Sequence, residues 1–564
     1  MRRSTKAVGR SLSIAGVVLL AVAPAASSSV DGKSAAFQRA MLASSSSSMS
    51  TAQPTMAPPA AGYTRTRYEI PITILPGANV NKLTSGVNGG PIPKPPGNFY
   101  LVRMAPNLVL QDNDNNPAND RVPRTDIIHL HHMVWMDPQN RAPASGFNLP
   151  FGAGEEKTIS QLPAGYGYPV YSDQNWIIND MIHNLTPATI KGKIVYDLDW
   201  VAMDSTLGRT LKPAWPLWLD VQRGSGYPVF NAFQNTGSNG TITYPDQFTN
   251  PYAGLNYEPN KWNTNLDLTL LGTAGHVHPG GLRTDIQVIR DSSLTDPTPT
   301  SPQPGDYTNS ARLFRSNAVY YDPSGPVSWD LAMEATPADW KIHIKPKDKL
   351  VISATYDTTK ASWYESMGID VVWSEINRTN GTVDPNAEGV DPFTTAIPWD
   401  KGHVTHTSYP ENHFYGGKVT TLNDARKLPN GATPTDKTVN IKNFVYQYGD
   451  LSSSGKAARP PVIKEGQQLT FFNKDAGPTA KLADIYHSIT DCKLPCNKET
   501  GLSYPLANGP KIFDSGQLGF GWTLPGTAAA QRRSWTTPKT LTAGTYSYFC
   551  RVHPFMRGAF RVVK

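Results

Sequence analysis

Short runs in which apolar and polar residues alternate recur along this chain from Tyr63 onward. Typical examples are the segments TRYEIPITI, NFYLVRM, GKIVYDLDWV, RTDIQVIR and DKLVISATYD. Alternation with a period of two, in segments rich in β-branched and aromatic residues, predicts strands that bury one face. No helical apolar stripe longer than about three turns interrupts this pattern. The sequence therefore predicts an all-β protein.

The composition agrees with short strands joined by long turns. The 564 residues include 46 glycines and 49 prolines, and both residue types are unfavourable inside helices. The chain is 39% hydrophobic and 17% charged, which excludes intrinsic disorder and allows a core of ordinary size. The formal net charge is +7, but four cations lie within Met1–Arg10, and subtracting them leaves +3. So small an excess argues against a nucleic-acid partner.

The N-terminus has the pattern of a secretory signal. Basic Met1–Arg10 precedes an apolar run over Leu12–Ala23, and small residues follow up to Ala25. This order predicts a signal peptide over 1–25 and a secreted or periplasmic protein in an oxidising compartment. The Ser/Ala/Pro-rich segment 26–62 predicts a flexible linker. The apolar run is too short for a transmembrane helix, so we expect no integral membrane segment.

Near the C-terminus, a short loop combines residue types that can serve as metal ligands. Cys550, His553 and Met556 form a C-x2-H-x2-M pattern in the segment YSYFCRVHPFMRGAFRVV, and His487 lies about 60 residues earlier. One thiolate, two imidazoles and a weak thioether are the ligands of a type 1, or blue, copper site. The alternative is a buried Cys and Met with two incidental histidines.

These residues resemble the cupredoxins, and the ligand loop is similar to that of amicyanin and pseudoazurin. The segment PPVIKEGQQLTFFNKD is similar to the strand that precedes the first histidine ligand in that family. The resemblance covers 438–564 and implies a Greek-key β-sandwich with an electron-transfer copper. Cys492 and Cys496 lie between the ligands, and their spacing suits a local disulfide in an oxidising compartment. A separate Cys-based metal or redox site is the alternative.

The central region carries further clustered histidines. His131 and His132 precede a methionine, His183 stands alone before a strand, and His276 and His278 are two residues apart. Alternation puts the imidazoles of the last pair on one face of a strand. Taken singly, each pattern also has an ordinary structural explanation, and a lone methionine such as Met367 usually packs in a core.

In this order, the motifs resemble the copper type II monooxygenases, which include peptidylglycine α-hydroxylating monooxygenase and dopamine β-monooxygenase. The resemblance implies two β-sandwich halves, expected at 63–212 and 213–397, with copper ions facing a solvent-filled cleft. The implied ligands of the electron-storing copper are His131, His132 and His183. The implied ligands of the O2-activating copper, which make it the catalytic site, are His276, His278 and Met367. A thioether ligand favours Cu(I), the state that binds O2.

The chain departs from that family in three respects. Disulfides tie the family's central domains, whereas no cysteine precedes Cys492 here. The peptide-processing branch has an arginine where this chain has Ala274, and the branch's substrate-pocket tyrosine is not evident after Met367, in the segment GIDVVW. We therefore do not expect a substrate with a C-terminal glycine.

The remaining histidines leave several interpretations open. His129 lies two residues before His131, on the same strand face, and is either a supporting partner or an alternative ligand. In the connecting region 398–437, His403 and His406 are an extra metal pair, part of a lid over the cleft, or ordinary loop residues, and His413 has no assigned role. We predict that His343, which lies among lysines, is a surface residue.

Together, the motifs predict a secreted copper oxidoreductase with one type 1 copper and two central mononuclear, type 2-like coppers. The expected reaction is an O2-dependent hydroxylation of a small or peptide-like organic molecule, supported by an external electron donor and by the fused type 1 centre as a relay. One alternative is a non-catalytic electron-transfer or copper-carrier protein. Another is a β-rich binding module that retains a degenerate copper cleft.

Overall fold

The computed structural model describes most of the chain from Ser50 to Lys564. The described residues are 50–52, 56–79, 82–84, 86, 90–110, 121–125, 127–139, 148–186, 188–221, 229–245, 261–263, 266–290, 310–322, 325–378, 382–397, 403–405, 422–476, 485–496, 512–519 and 532–564. The predicted signal peptide, most of the predicted linker, His406 and His413 lie outside these residues.

Within the described ranges, the only helical element is a 3-10 turn at Gly208–Thr210, so the all-β prediction is confirmed. None of the described helical segments is both long and apolar enough to cross a membrane. The strands form three units, here called the N-terminal, central and C-terminal sandwiches. The predicted domain boundaries themselves stay predictions.

The N-terminal sandwich has an eight-stranded and a four-stranded sheet. Its described strands are β1 (Ser50–Ala52), β2 (Thr64–Ile74), β3 (Lys82–Thr84), β4 (Phe99–Leu110), β5 (Arg121–Pro123), β6 (Ile128–Asp137), β7 (Asn148–Ala153), β8 (Ser160–Gln161), β9 (Tyr166–Val170), β10 (Ile177–Asn184), β11 (Ile190–Ala202) and β12 (Lys212–Pro213). The larger sheet runs β1-β5-β4-β11-β2, with β8, β9 and β12 beside it, and the smaller runs β3-β10-β6-β7. The buried alternate residues of both sheets form one core.

The central sandwich is a twelve-stranded sheet that surrounds a second core. Its described strands are β13 (Trp215–Asp220), β14 (Val229–Ala232), β15 (Thr241–Tyr244), β16 (Lys261–Asn263), β17 (Asp267–Val277), β18 (Gly281–Ile289), β19 (Ser310–Tyr320), β20 (Leu331–Ala335), β21 (Ile342–Ile344), β22 (Lys349–Asp357), β23 (Trp363–Arg378) and β24 (His403–Thr405). The main path is β13-β23-β17-β20-β19-β18-β22-β15.

The C-terminal sandwich consists of two four-stranded sheets around a third core. Its described strands are β25 (Thr438–Lys442), β26 (Val445–Tyr446), β27 (Val462–Lys464), β28 (Thr470–Asn473), β29 (Thr490–Cys492), β30 (Ser534–Thr536), β31 (Gly544–Phe549) and β32 (Arg557–Val563). The sheets run β26-β25-β28-β30 and β27-β32-β31-β29. Cys492 and Cys496 are bonded to each other, which confirms the predicted local disulfide.

The first two sandwiches share apolar packing. The Trp373 ring, from β23, lies 5.6 Å from Phe151 and 5.7 Å from Tyr168, measured between ring centroids, so a central-sandwich residue completes the N-terminal core. Aromatic pairs at this spacing contribute beyond their buried area. This aromatic contact between the two sandwiches therefore fixes the position of β6 and β10 relative to β17 and β23.

The prediction that His343 is a surface residue is wrong. His343 lies on β21, where Ile342 and Ile344 are also buried, and its Nε2 is 2.9 Å from the Asp267 carboxylate. The neighbouring lysines suggested solvent, but β21 pairs with β17, and that pairing brings His343 to buried Asp267. A polar group removed from water needs such a partner.

Asp370, on β23, is a fully buried carboxyl group in the central sandwich. Burial raises the pKa of Asp370 to about 8, even though the neighbouring hydroxyl groups of Thr273 and Thr284 favour the charged form. The group is therefore neutral at pH 7 in the folded chain, whereas the unfolded chain exposes an ordinary aspartate.

We predict that Asp370→Asn stabilises the protein increasingly as pH rises from about 4 to about 8. Between these values the native wild type retains a proton that the unfolded chain releases, so its stability falls with pH by up to about 1.4 kcal/mol per unit. The amide removes this dependence. Urea unfolding at several pH values measures the difference in the free energy of unfolding between variant and wild type. A difference that does not change with pH would contradict a neutral Asp370 in the native protein.

Candidate metal centres

The four predicted type 1 ligands lie at one end of the C-terminal sandwich. The turn between β31 and β32 supplies Cys550, His553 and Met556, and His487 pairs with Leu518 on the facing segment. Cys550 Sγ is 3.8 Å from His487 Nδ1 and 3.9 Å from His553 Nδ1. All four ligands are buried. Elsewhere in the described part of the chain, no three His, Cys, Asp or Glu side chains converge within 4.8 Å as these do.

Backbone hydrogen bonds hold the thiol and the loop in place. The amides of Ser488 and His553 each lie 3.3 Å from Cys550 Sγ. The Cys550 amide donates to the Met556 carbonyl over 3.1 Å, and the Met556 amide donates to His553. Two amide donors stabilise a sulfur that carries negative charge. The tight turn therefore fixes three ligands with little freedom.

Asp475 orients the ligand that comes from outside this loop. Its Oδ2 is 3.0 Å from His487 Nε2, and the backbone amides of Asn443 and Phe444 donate to the same carboxylate. Burial by itself lowers the pKa of His487, but the bonds to Asp475 and Cys550 raise it to about 9. A carboxylate on the outer nitrogen directs the inner nitrogen, Nδ1, toward the metal position.

The donor set fits copper. A soft thiolate with two imidazoles and a thioether is the combination that binds type 1 copper. The Cys550 sulfur and one nitrogen each of His487 and His553 already lie within 4.8 Å of one another. When bound, copper supplies one-electron redox chemistry. The protein supplies a dry cavity and a nearly fixed ligand arrangement, which changes little between the two oxidation states.

The type 1 ligand loop is seated against both other sandwiches. His553 Nε2 is 3.0 Å from the Gly77 carbonyl of the N-terminal sandwich, and the backbone of Val552 hydrogen-bonds the His183 imidazole. On the other side, Arg551 donates to the Ser362 carbonyl of the central sandwich. The loop therefore meets the region that contains the predicted central ligands.

A β-bulge shapes the central histidine region. In the pairing of β6 with β10, Met181 faces His132 and Ile182 faces Leu130, so His131 is an extra residue. Adjacent strand residues normally point to opposite faces. At this bulge, the Nδ1 atoms of His131 and His132 lie only 3.3 Å apart. Bulges re-aim side chains in this way, often beside active sites.

The central histidines form a continuous row that ends at the type 1 loop. Neighbouring ring centroids are separated by 4.1 to 5.5 Å along the sequence His276, His278, His131, Trp329, His129, His183, His553. Burial lowers the pKa of His129, His131, His183 and His278 well below the usual range. These imidazoles are therefore neutral at pH 7, the form that binds metals.

A cavity of about 260 Å³ opens at the other end of this row. His132, His276 and Glu156 line it, and most of the remaining wall is apolar. Glu156 Oε1 is 3.0 Å from His276 Nδ1, and the absence of a side chain at Gly154 admits the His276 ring. The cavity is suited to a small, mainly apolar organic molecule.

The structure groups the predicted central ligands differently from the resemblance. His183 lies beside His129, 4.9 Å away between centroids, whereas His131 lies beside His278, 4.1 Å away. The two predicted sets therefore meet in one cluster at this point. Met367 is buried and packs with Val229 and Ile369, on the strand next to His276. Of His403, the structure describes only the backbone, in β24.

The sequence interpretation missed several residues of these sites: Gly77, Glu156, Trp329, Glu365 and Asp475. Glu365 joins two sandwiches, since its backbone carbonyl bonds His278 Nδ1 and its carboxylate lies 3.7 Å from His131 Nε2. Its φ of +53° is an uncommon backbone conformation for this residue type, held here by the surrounding contacts. The partners of Gly77, Glu156, Trp329 and Glu365 lie far away in sequence, so no spacing motif marks these residues. Asp475, in contrast, lies 12 residues before its partner His487.

Comparisons with known proteins give limited similarity. No protein-family model matches this chain, and neither does any curated protein sequence. Among solved structures, the Cu(I) form of an amicyanin variant is 21% identical, with 25% of this chain and 92% of that chain aligned and a TM-score of 0.12. A second amicyanin variant, in the reduced state, is 19% identical over 26% of this chain and 99% of that chain, also with a TM-score of 0.12.

A copper-containing nitrite reductase from Thermus scotoductus SA-01 is 15% identical. That alignment covers 52% of this chain and 55% of the reductase, with a TM-score of 0.14. TM-scores this low carry no structural argument. The interpretation of the copper ligands therefore depends on the side-chain geometry described above.

We predict that Gly77→Ala disturbs the seating of the type 1 loop. A Cβ at Gly77 would lie 2.0 Å from the Phe444 ring, which packs 5.1 Å from His553. Gly97 is a matched control, because its φ is also positive but nothing lies within 4 Å of a Cβ there. Gly97→Ala costs about 1 to 2 kcal/mol for the backbone alone.

Gly77→Ala should cost about 1 to 3 kcal/mol more, from overpacking. It should also alter the visible absorption of the copper-loaded protein. Chemical unfolding and absorption spectra measure both effects. Equal losses for the two variants, with unchanged spectra, would show that Phe444 moves aside freely.

Proposed function

We propose that this protein is a secreted copper oxidoreductase in which a type 1 centre at Cys550 exchanges electrons with copper bound by the central histidines. The observation that carries the proposal is the contact of His553 with His183, 5.5 Å between ring centroids. Through this contact, a predicted ligand of the type 1 copper touches one of the central histidines directly. An external donor reduces the protein.

The proposed reaction is an O2-dependent hydroxylation of an organic substrate in the cavity beside His132 and His276. His276, His278 and Met367 are the proposed ligands at the O2-activating site, and the resemblance to copper monooxygenases supports this choice. When bound there, copper supplies the activation of O2. The chain supplies the apolar walls that exclude water and the Glu156 carboxylate that orients His276.

A second candidate is a non-catalytic electron-transfer or copper-carrier protein. One observation favours it, namely that only His487, Cys550 and His553 converge tightly among the described residues. In this case the chain would be blue and would bind one copper firmly, without consuming O2. Copper stoichiometry and O2 uptake separate the two functions.

We predict that the copper-loaded wild type is blue, binds close to three coppers and consumes O2 in the presence of a reductant. Cys550→Ser should abolish the blue absorption, because the charge-transfer band requires the thiolate. It should leave the two central coppers bound and slow O2 consumption. A blue band that survives in this variant would refute the assignment of the ligand loop. One copper per chain and no O2 uptake would favour the electron-transfer protein.

Substitutions of Met367 test the O2-activating site itself. Met367→Leu nearly conserves volume, so it should cost less than about 1.5 kcal/mol of stability. It should nevertheless abolish O2 consumption, since the thioether is lost. Met367→His retains a ligand that stabilises Cu(II) relative to Cu(I), so copper should stay bound while turnover drops sharply. An active Leu variant would remove Met367 from the proposed site.

A further inference from the structure

We propose that His129 and His183 hold a copper ion through their Nε2 atoms at the junction of the N-terminal and C-terminal sandwiches. His129 thereby takes the place that the resemblance gives to His132. The inference deepens the proposed copper chemistry, on which it rests, by reassigning one ligand.

Each of the two rings has one nitrogen committed to a backbone carbonyl. His129 Nδ1 is 3.1 Å from the Thr125 carbonyl, and His183 bonds the backbone of Val552. Neither Nε2 atom has a hydrogen-bond partner among the described residues, although His129 is fully buried and His183 is 4% exposed. A neutral imidazole that donates from Nδ1 presents a lone pair on Nε2.

A buried lone pair without a donor is costly, and a metal ion bound to both Nε2 atoms would satisfy it. Histidine ligands of metals typically donate their other N–H to a backbone carbonyl or a carboxylate, which fixes the tautomer. The bonds to Thr125 and Val552 have this form. His276 and His278 show the same arrangement at the cavity end, with bonds to Glu156 and Glu365 and bare Nε2 atoms.

The strand register brings the two junction imidazoles together. His183 on β10 is directly opposite His129 on β6, so both side chains leave the same face of the sheet. Their centroids are 4.9 Å apart, with the ring planes at 75°. At this separation, ligand bonds of about 2.0 Å from one nitrogen of each ring can reach a single ion.

His132 is a poorer candidate for this site. Its Nδ1 faces His131 Nδ1 at 3.3 Å, and its ring lines the cavity with His276. The bulge in β6 makes the two side chains point to different places. His132 turns toward the cavity, whereas His129 stays opposite His183. The sequence motif HHM therefore does not identify the junction ligand.

The surroundings favour copper, and Cu(I) in particular, over zinc. The cost of burying an ion rises steeply with its charge, and the two proposed ligands are neutral. Lys157 lies near His129, but its ammonium group is paired with the buried Glu155 carboxylate, so this pair supplies no net negative charge that would favour a dication. Imidazole binds both copper and zinc, so the charge decides between them. An ion here would be bound by an imidazole, His183, that contacts His553.

The test compares His129→Gln and His132→Gln in the full chain, loaded with Cu(I) and equilibrated against a Cu(I)-chelating competitor. We expect His129→Gln to retain one copper fewer than wild type and His132→Gln to retain the junction copper. His183→Gln should lose the same copper as His129→Gln. The blue absorption after oxidation and the unfolding midpoint establish that each variant has folded.

Retention of all copper by folded His129→Gln, or loss of the junction copper from His132→Gln, would overturn the assignment. A parallel titration with Zn²⁺ should leave the junction site weakly occupied, and tighter binding of Zn²⁺ than of Cu(I) would overturn the choice of copper. The readout is metal content, so a protein that keeps the junction copper but never consumes O2 would refute the proposed hydroxylation alone.

Discussion

The arrangement of the candidate sites depends on removing imidazoles from water while giving each a fixed partner for one ring nitrogen. His129, His183, His278 and His487 are all buried, and each is bound on one side by a carbonyl or a carboxylate. Because a buried polar group must be paired, these bonds set the orientation of every ring. The remaining nitrogens are then directed into dry interior space, where only a proton donor or a metal ion would stabilise them.

Three apolar cores maintain this dry space. Trp373 joins the first two cores, and the type 1 ligand loop closes the junction from the third sandwich. The strained backbone of Glu365 lies where the sandwiches meet, and its contacts with His278 and Asn79 hold it there. Residues in such conformations persist only when their surroundings over-determine them. The site is therefore a property of the assembled sandwiches and not of one motif.

Local patterns predicted what local physics determines. Alternation predicted the strands, residue type and spacing predicted the Cys550, His553 and Met556 loop, and the spacing of Cys492 and Cys496 predicted their disulfide. The central sites were less predictable, because a bulge in β6 changes which histidine faces which partner. His343 was misjudged for a related reason, since its neighbours in sequence are lysines while its neighbour in space is Asp267. Long-range pairing carries information that spacing along the chain does not.

The seating of the type 1 loop has a thermodynamic consequence for the whole chain. Arg551, Val552 and His553 contact the other two sandwiches, so the loop's folded conformation and their docking support each other. A ligand that binds only the native state raises the free energy of unfolding by mass action. Copper bound at Cys550 would thus stabilise not only its own sandwich but also the remote packing around Trp373. The copper supply and the stability of the whole chain are therefore linked. Without copper, the contacts between the sandwiches would be the first to weaken.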